Sequence, residues 1–140
     1  MTDARTPPMS PDRALLGFRL LVALLIGIHG WYRLSVGTSP GFGDWLATHG
    51  IPFAHAIAWG VTISEIVGSA CLAIGLCVRP FALLFMAIYV AGIVLVHAPE
   101  GWFVVGGGRN GMEYSVLLIG SLALVALRVR QPLWQAFARR

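Results

Sequence analysis

Apolar residues fill four long stretches of the chain, at about 14–33, 54–77, 80–97 and 111–128, and polar residues collect between them. Coiled as helices, runs of roughly 20 apolar residues match the thickness of a bilayer's hydrocarbon core. The pattern predicts an all-α integral membrane protein, a bundle of four transmembrane helices. Thr6-Pro7-Pro8 and Ser10-Pro11-Asp12 mark residues 1–13 as a disordered tail ending in a helix start signal. Gly37 to Pro52 carries Gly, Pro and Ser at turn positions and reads as a long loop, with a short interfacial helix around Asp44, Trp45 and Leu46. Val78-Arg79-Pro80 reads as a tight turn, with Pro80 suited to the first position of the next helix. Beyond Pro99, Trp102-Phe103-Val104-Val105 reads as an apolar segment at the interface. Gly106-Gly107-Gly108 then forms a flexible turn, because no Gly-Lys-Ser/Thr follows to make it a phosphate loop. Residues 129–140 alternate Trp and Phe with Arg, as an interfacial tail does. Residues 14–128 thus make one membrane domain.

Composition strengthens this reading. Hydrophobic residues are 57% of the 140 and charged residues 11%, whereas soluble domains are about a quarter charged. The net charge of +4 comes from ten arginines and no lysine. The arginines lie in the tails and turns rather than in a patch, so no nucleic-acid surface is indicated. Arg5 and Arg13 precede the first span, Arg79 lies between the second and third, and Arg128, Arg130, Arg139 and Arg140 close the fourth. By the positive-inside rule both termini, and both tails, are cytoplasmic. The first stretch has the length of a full span and no small-x-small cleavage pattern follows it, so it reads as an uncleaved anchor. Cys71 and Cys77 lie roughly 9 Å apart along one helix, too far for a disulfide, and read as buried hydrophobes.

Ionisable groups inside apolar spans are the candidate chemistry, since a charge there is costly and faces protein or a water-filled cavity. Arg19, His29, Gly30 and Arg33 share about a third of the first helix's circumference. Gly60, Ser64 and Gly68 repeat every four residues beside Glu65, which marks a close helix interface and turns Glu65 toward the bundle. Glu113 opens the fourth helix, with His97, Trp102 and Arg109 bordering the same side. The candidate recess is therefore Arg19, His29, Arg33, Glu65 and Glu113, most of it in the extracytoplasmic half. Each member also has a structural reading. Glu65 needs a cation, supplied by Arg33 or by Arg19, or else takes up a proton. Arg19 alternatively snorkels to headgroups. His29 alternatively bonds a carbonyl in the core, and Glu113 alternatively serves the helix dipole. Trp31, Tyr32, Trp59 and Trp102 read as interfacial aromatics. No metal, haem or flavin motif is visible, and the cofactor is left open.

These residues resemble the DoxX family. The run Arg19 to Leu34, with His29-Gly30-Trp31-Tyr32-Arg33-Leu34, is similar to that family's opening helix, an arginine followed by a His-Gly-x-x-Lys-like ending. Ser64-Glu65-Ile66-Val67-Gly68, with Leu72 to Arg79, resembles its second helix, and Gly111-Met112-Glu113-Tyr114 the opening of its last. Arg33 stands where lysine is frequent, and Arg128 to Trp134 replaces a Gly-rich ending. The resemblance implies a multi-pass protein of the bacterial plasma membrane, of a family in which some members are membrane subunits linked to quinone-dependent oxidation of sulfur compounds or partners of redox-defence complexes.

Three functions fit the sequence. One is a redox-associated membrane subunit that binds quinone or a partner in the polar recess. A second is a carrier for a small solute, lipid or proton. A third is a structural or assembly partner without activity of its own. The lipid bilayer, a peripheral redox protein and a second copy of the chain are the partners considered. With no electron carrier in the chain, an enzyme role extends at most to a subunit of an oxidoreductase complex.

Overall fold

The computed structural model describes residues 11–105 and 110–128. Helix α1 spans Pro11–Val36, α2 Ser39–Thr48, α3 Ala54–Ile74, α4 Val78–Gly92 and α5 Glu113–Arg128. A π turn, Ile93–His97, extends α4, with the Ala98 amide donating 2.8 Å to the Ile93 carbonyl. Among the described residues, three helical stretches are long and apolar enough to cross a membrane: Pro11–Val36, Ala54–Ile74 and Val78–His97. At 16 residues α5 is shorter, roughly 24 Å.

Local chemistry sets the helix ends. Pro11 opens α1, where its missing amide hydrogen costs nothing, and Asp12 sits in the first turn, favoured by the helix dipole. Gly75 adopts a left-handed φ of 81° and ends α3 three residues before the sequence pattern suggests. Its amide bonds Leu72, and that of Leu76 bonds Cys71, which satisfies the last carbonyls as a Schellman turn. Helix α4 begins at Val78, so Pro80 is its third residue, still inside the first turn where proline is tolerated. The 37–52 connection is more ordered than a loop. Its middle is the ten-residue helix α2, which carries a proline in its first turn and packs on α3.

Helix α1 packs along α3, and α4 packs along α5. Val22, Ile26, Leu72, Phe85, Leu122 and Val125 are buried in a core that joins α1, α3, α4 and α5. Leu46, Ala54 and Ala58 form a second cluster beneath α2. Leu21, Leu24, Ile28, Ile63, Val67, Leu83, Val94 and Leu117 face outward. In lipid such outward apolar faces need no cover, so helix contact depends on close packing instead.

Small residues make that contact. A Cβ on Gly30 would lie 2.9 Å from the Glu65 Cβ and the Thr62 carbonyl oxygen. A Cβ on Gly27 would lie 2.8 Å from the Ser69 hydroxyl. Gly68 holds open the space taken by Phe81 and Phe85 of α4. Of the expected Gly60–Ser64–Gly68 stripe, Gly60 is exposed and faces open space. The tight α1–α3 approach is thus set mainly by glycines on α1. Gly30→Ala is expected to destabilise the protein by about 1–3 kcal/mol through overpacking, read as a lowered melting temperature in detergent. Gly60→Ala should leave that temperature level or higher.

Candidate functional site

One face of α3 carries Ala58, Thr62, Glu65, Ser69 and Leu72, all buried. Their three- and four-residue spacing is that of a helix stripe turned into the bundle. Three of the five are polar, and each needs a partner where water is absent. Helix α1 supplies one. Arg33, in its last turn, donates from Nη2 to Glu65 Oε2, with the two side chains 20% and 5% exposed. The Arg33 Nε donates to Thr62 Oγ1 at 3.2 Å. The guanidinium carbon also stands 5.5 Å from the centre of the Phe42 ring, within cation–π range.

The hydroxyls orient themselves by elimination. Thr62 has one proton, which it donates to the Ala58 carbonyl at 2.9 Å. It therefore accepts from Arg33 and, at 3.2 Å, from Ser39. Ser39, 1% exposed, is the first residue of α2. Helix α2 is thereby tied to the ion pair at one end and covers Ala58 with Leu46 further along. Helix α4 adds Tyr89, whose hydroxyl is buried and has no hydrogen-bond partner among the described residues. It lies within electrostatic reach of Glu65, Arg33 and the half-buried Tyr114 of α5.

The other sequence candidates are placed elsewhere. Arg19 is 3% exposed and donates from Nη2 to the Ala73 carbonyl at 3.2 Å, far along α3 from Glu65. Its charge rests on the negative end of α3's dipole, an arrangement in which cations are stabilised. Arg79 repeats the device, donating from Nε to the Ala126 carbonyl in the last turn of α5. His29 is exposed on the outside of α1, one turn from the inward-facing Arg33. Glu113 opens α5 and accepts the Val104 amide at 3.0 Å, while its own amide bonds the Trp102 carbonyl. It holds the 101–105 segment against the start of α5 rather than meeting Glu65. Gly111 fits there because a Cβ would lie 2.5 Å from the Trp102 and Phe103 oxygens. His97 donates from Nδ1 to the Asn110 carbonyl at 2.7 Å, which assigns its tautomer, and Trp102 is half exposed. Arg109 lies outside the described residues. No group of three metal-ligating side chains exists among the described residues.

Thr62, Ser39 and Tyr89 are the members that sequence reasoning passed over. Thr62 was within reach, since it precedes Glu65 by three residues and so shares its face. Ser39 and Tyr89 carry no such local signal.

Breaking a buried pair by removing one charge costs about 3–5 kcal/mol, because the survivor is left uncompensated. Arg33→Glu and Glu65→Arg singly are expected to lower the detergent melting temperature by that order. The double reversal should recover a substantial part of the loss. A double variant no better than the worse single one would show that the two side chains are not coupled.

Comparison with known proteins adds one finding. The DoxX family model matches residues 14–98. No curated protein and no solved structure matches the chain. The matched stretch runs from α1 to the end of the π turn, well over half the chain, and includes Arg33, Ser39, Thr62, Glu65 and Tyr89. This multi-pass helical membrane protein belongs to the DoxX family.

Proposed function

We propose that this protein is a four-span subunit of a redox system in the bacterial plasma membrane, holding a quinone head group, or the partner that uses it, beside Arg33 and Glu65. The observation that carries the reading is the hydrogen-bonding capacity left in the recess. Within electrostatic reach of the Arg33–Glu65 pair lies the Tyr89 hydroxyl, which is buried and bonds nothing among the described residues. Purely structural polar groups in a protein interior are normally satisfied. An unspent hydroxyl within electrostatic reach of a charge pair suits a polar head group whose tail remains in lipid. Tyrosine and carboxylate are also side chains able to pass protons to a ring oxygen.

Placement in the membrane follows from charge. Helix α5 is the fourth span. The arginine-rich ends lie in the cytoplasm, so the end of α1 that carries Arg33 faces the outer leaflet. A partner enzyme would deliver electrons there, because no electron carrier is visible in the chain.

Purified protein in lipid nanodiscs is the material for the test. A short-chain benzoquinone, added in oxidised and in reduced form, should quench tryptophan fluorescence saturably. Glu65→Gln should abolish the quench while retaining helical circular dichroism. Saturable binding that survives Glu65→Gln unchanged would remove the site assignment. Orientation is tested separately: a C-terminal fluorescent-protein fusion should glow and the matching alkaline-phosphatase fusion should be inactive.

A further inference from the structure

The hold on α2 differs from the hold on the spans. At ten residues it is too short to stay helical in water unaided, so its form depends on its packing. Left-handed glycines flank it, Gly37 at φ 71° and Gly50 at φ 73°. A Cβ on either would meet nothing within 4 Å, so no packed neighbour blocks rotation of the backbone there. Three ties join α2 to α3. Ser39 bonds Thr62 at 3.2 Å. Leu46 packs on Ala54 and Ala58. The His55 ring occupies the space beside Gly43, where a Cβ would lie 2.6 Å from its Cδ2, and its Nε2 meets Asp44 Oδ1 at 2.9 Å. That last pair is exposed on both sides, and exposed pairs contribute little.

What α2 covers is the polar cluster. Ala58 and Thr62 are fully buried, and the Phe42 ring centre lies 5.5 Å from the guanidinium carbon of Arg33. Lifting α2 takes Ser39 from Thr62, Phe42 from Arg33 and Leu46 from Ala58. The long spans keep their own packing meanwhile, because the α1–α3 contact runs through Gly27 and Gly30 and the main core through Leu72, Phe85 and Leu122. Phe53, between Gly50 and α3, holds a left-handed φ of 55°, a strained state for a bulky residue that release of α2 would relieve.

We propose that α2 is a lid. It swings on Gly37 and Gly50, unwinds as it leaves α3, and admits water to Thr62 and the Arg33–Glu65 pair. Such an opening needs only a fraction of the free energy of unfolding the bundle. The lid goes beyond the quinone-site reading and stands whether or not that reading does, since it concerns access to the pair rather than what binds there.

The test uses the full-length protein in nanodiscs, with Cys71→Ser and Cys77→Ser. Ala58→Cys places a thiol beneath α2, and Ala82→Cys places one, equally buried, in the main core. A charged, water-soluble methanethiosulfonate should label the first and leave the second unlabelled. Adding Ser39→Ala should speed that labelling about two- to tenfold. Gly43→Val, which drives a side chain into His55, should speed it at least about fivefold. Gly41→Ala, where a Cβ meets nothing, favours the helix and should slow it about threefold. Amide hydrogen exchange of α2 in the chain without added thiols should follow the same order. Equal labelling of the two thiols, labelling of neither, or rates of labelling and α2 exchange indifferent to Ser39→Ala and Gly43→Val would overturn the lid.

Discussion

Arg33 and Glu65 are set against each other where neither charge is tolerated alone. Desolvating an ion costs several kcal/mol, and the cost is met only if the partner is close and the remaining polar valences are filled. Much of the surrounding architecture answers that demand. Gly30 lets α1 approach until Arg33 reaches α3. Thr62 takes the second guanidinium donor, and Phe42 covers its face. Ser39 fastens α2 to the same hydroxyl, so a connecting segment becomes a packed helix. Remove the pair and the reason for α2's position goes with it.

A different solution serves the other buried charge. Among the described residues Arg19 has no carboxylate paired with it; it rests on a carbonyl in the last turn of α3, as Arg79 rests on one in the last turn of α5. Helix ends with unpaired carbonyls stabilise a cation without a counter-ion. The spans therefore carry two classes of arginine, one that caps helix ends and one paired with an acid. The paired arginine and its acid lie within electrostatic reach of the buried Tyr89 hydroxyl, which has no partner among the described residues, and the functional proposal is attached to them for that reason.

Much of the fold is legible in the sequence because apolar length reports membrane spans directly. The first three stretches appear where the pattern puts them, and their ends shift for local reasons, such as the left-handed Gly75. The inward direction of Glu65 is also legible, since a carboxylate avoids lipid. The choice between Arg33 and Arg19 as its partner is not, because both lie on the inward side of α1 and only tertiary packing sets which one reaches Glu65. Circumference arithmetic also misplaces His29: a side chain about 40° from Arg33 differs little on a helical wheel, yet one ring faces outward and one guanidinium inward. Ser39 and Tyr89 join the site across long sequence separations that no local pattern encodes. Glu113 is legible as a residue that opens a helix, and that is how α5 uses it.

The state of the pair can be read directly by infrared difference spectroscopy in lipid nanodiscs, subtracting Glu65→Gln from wild type at neutral pH. If Arg33 holds Glu65 as a carboxylate, the difference spectrum contains the antisymmetric carboxylate stretch and no protonated carboxyl band, and Arg33→Gln converts the one into the other. A protonated carboxyl band in the wild type, or a spectrum indifferent to Arg33→Gln, would contradict the account.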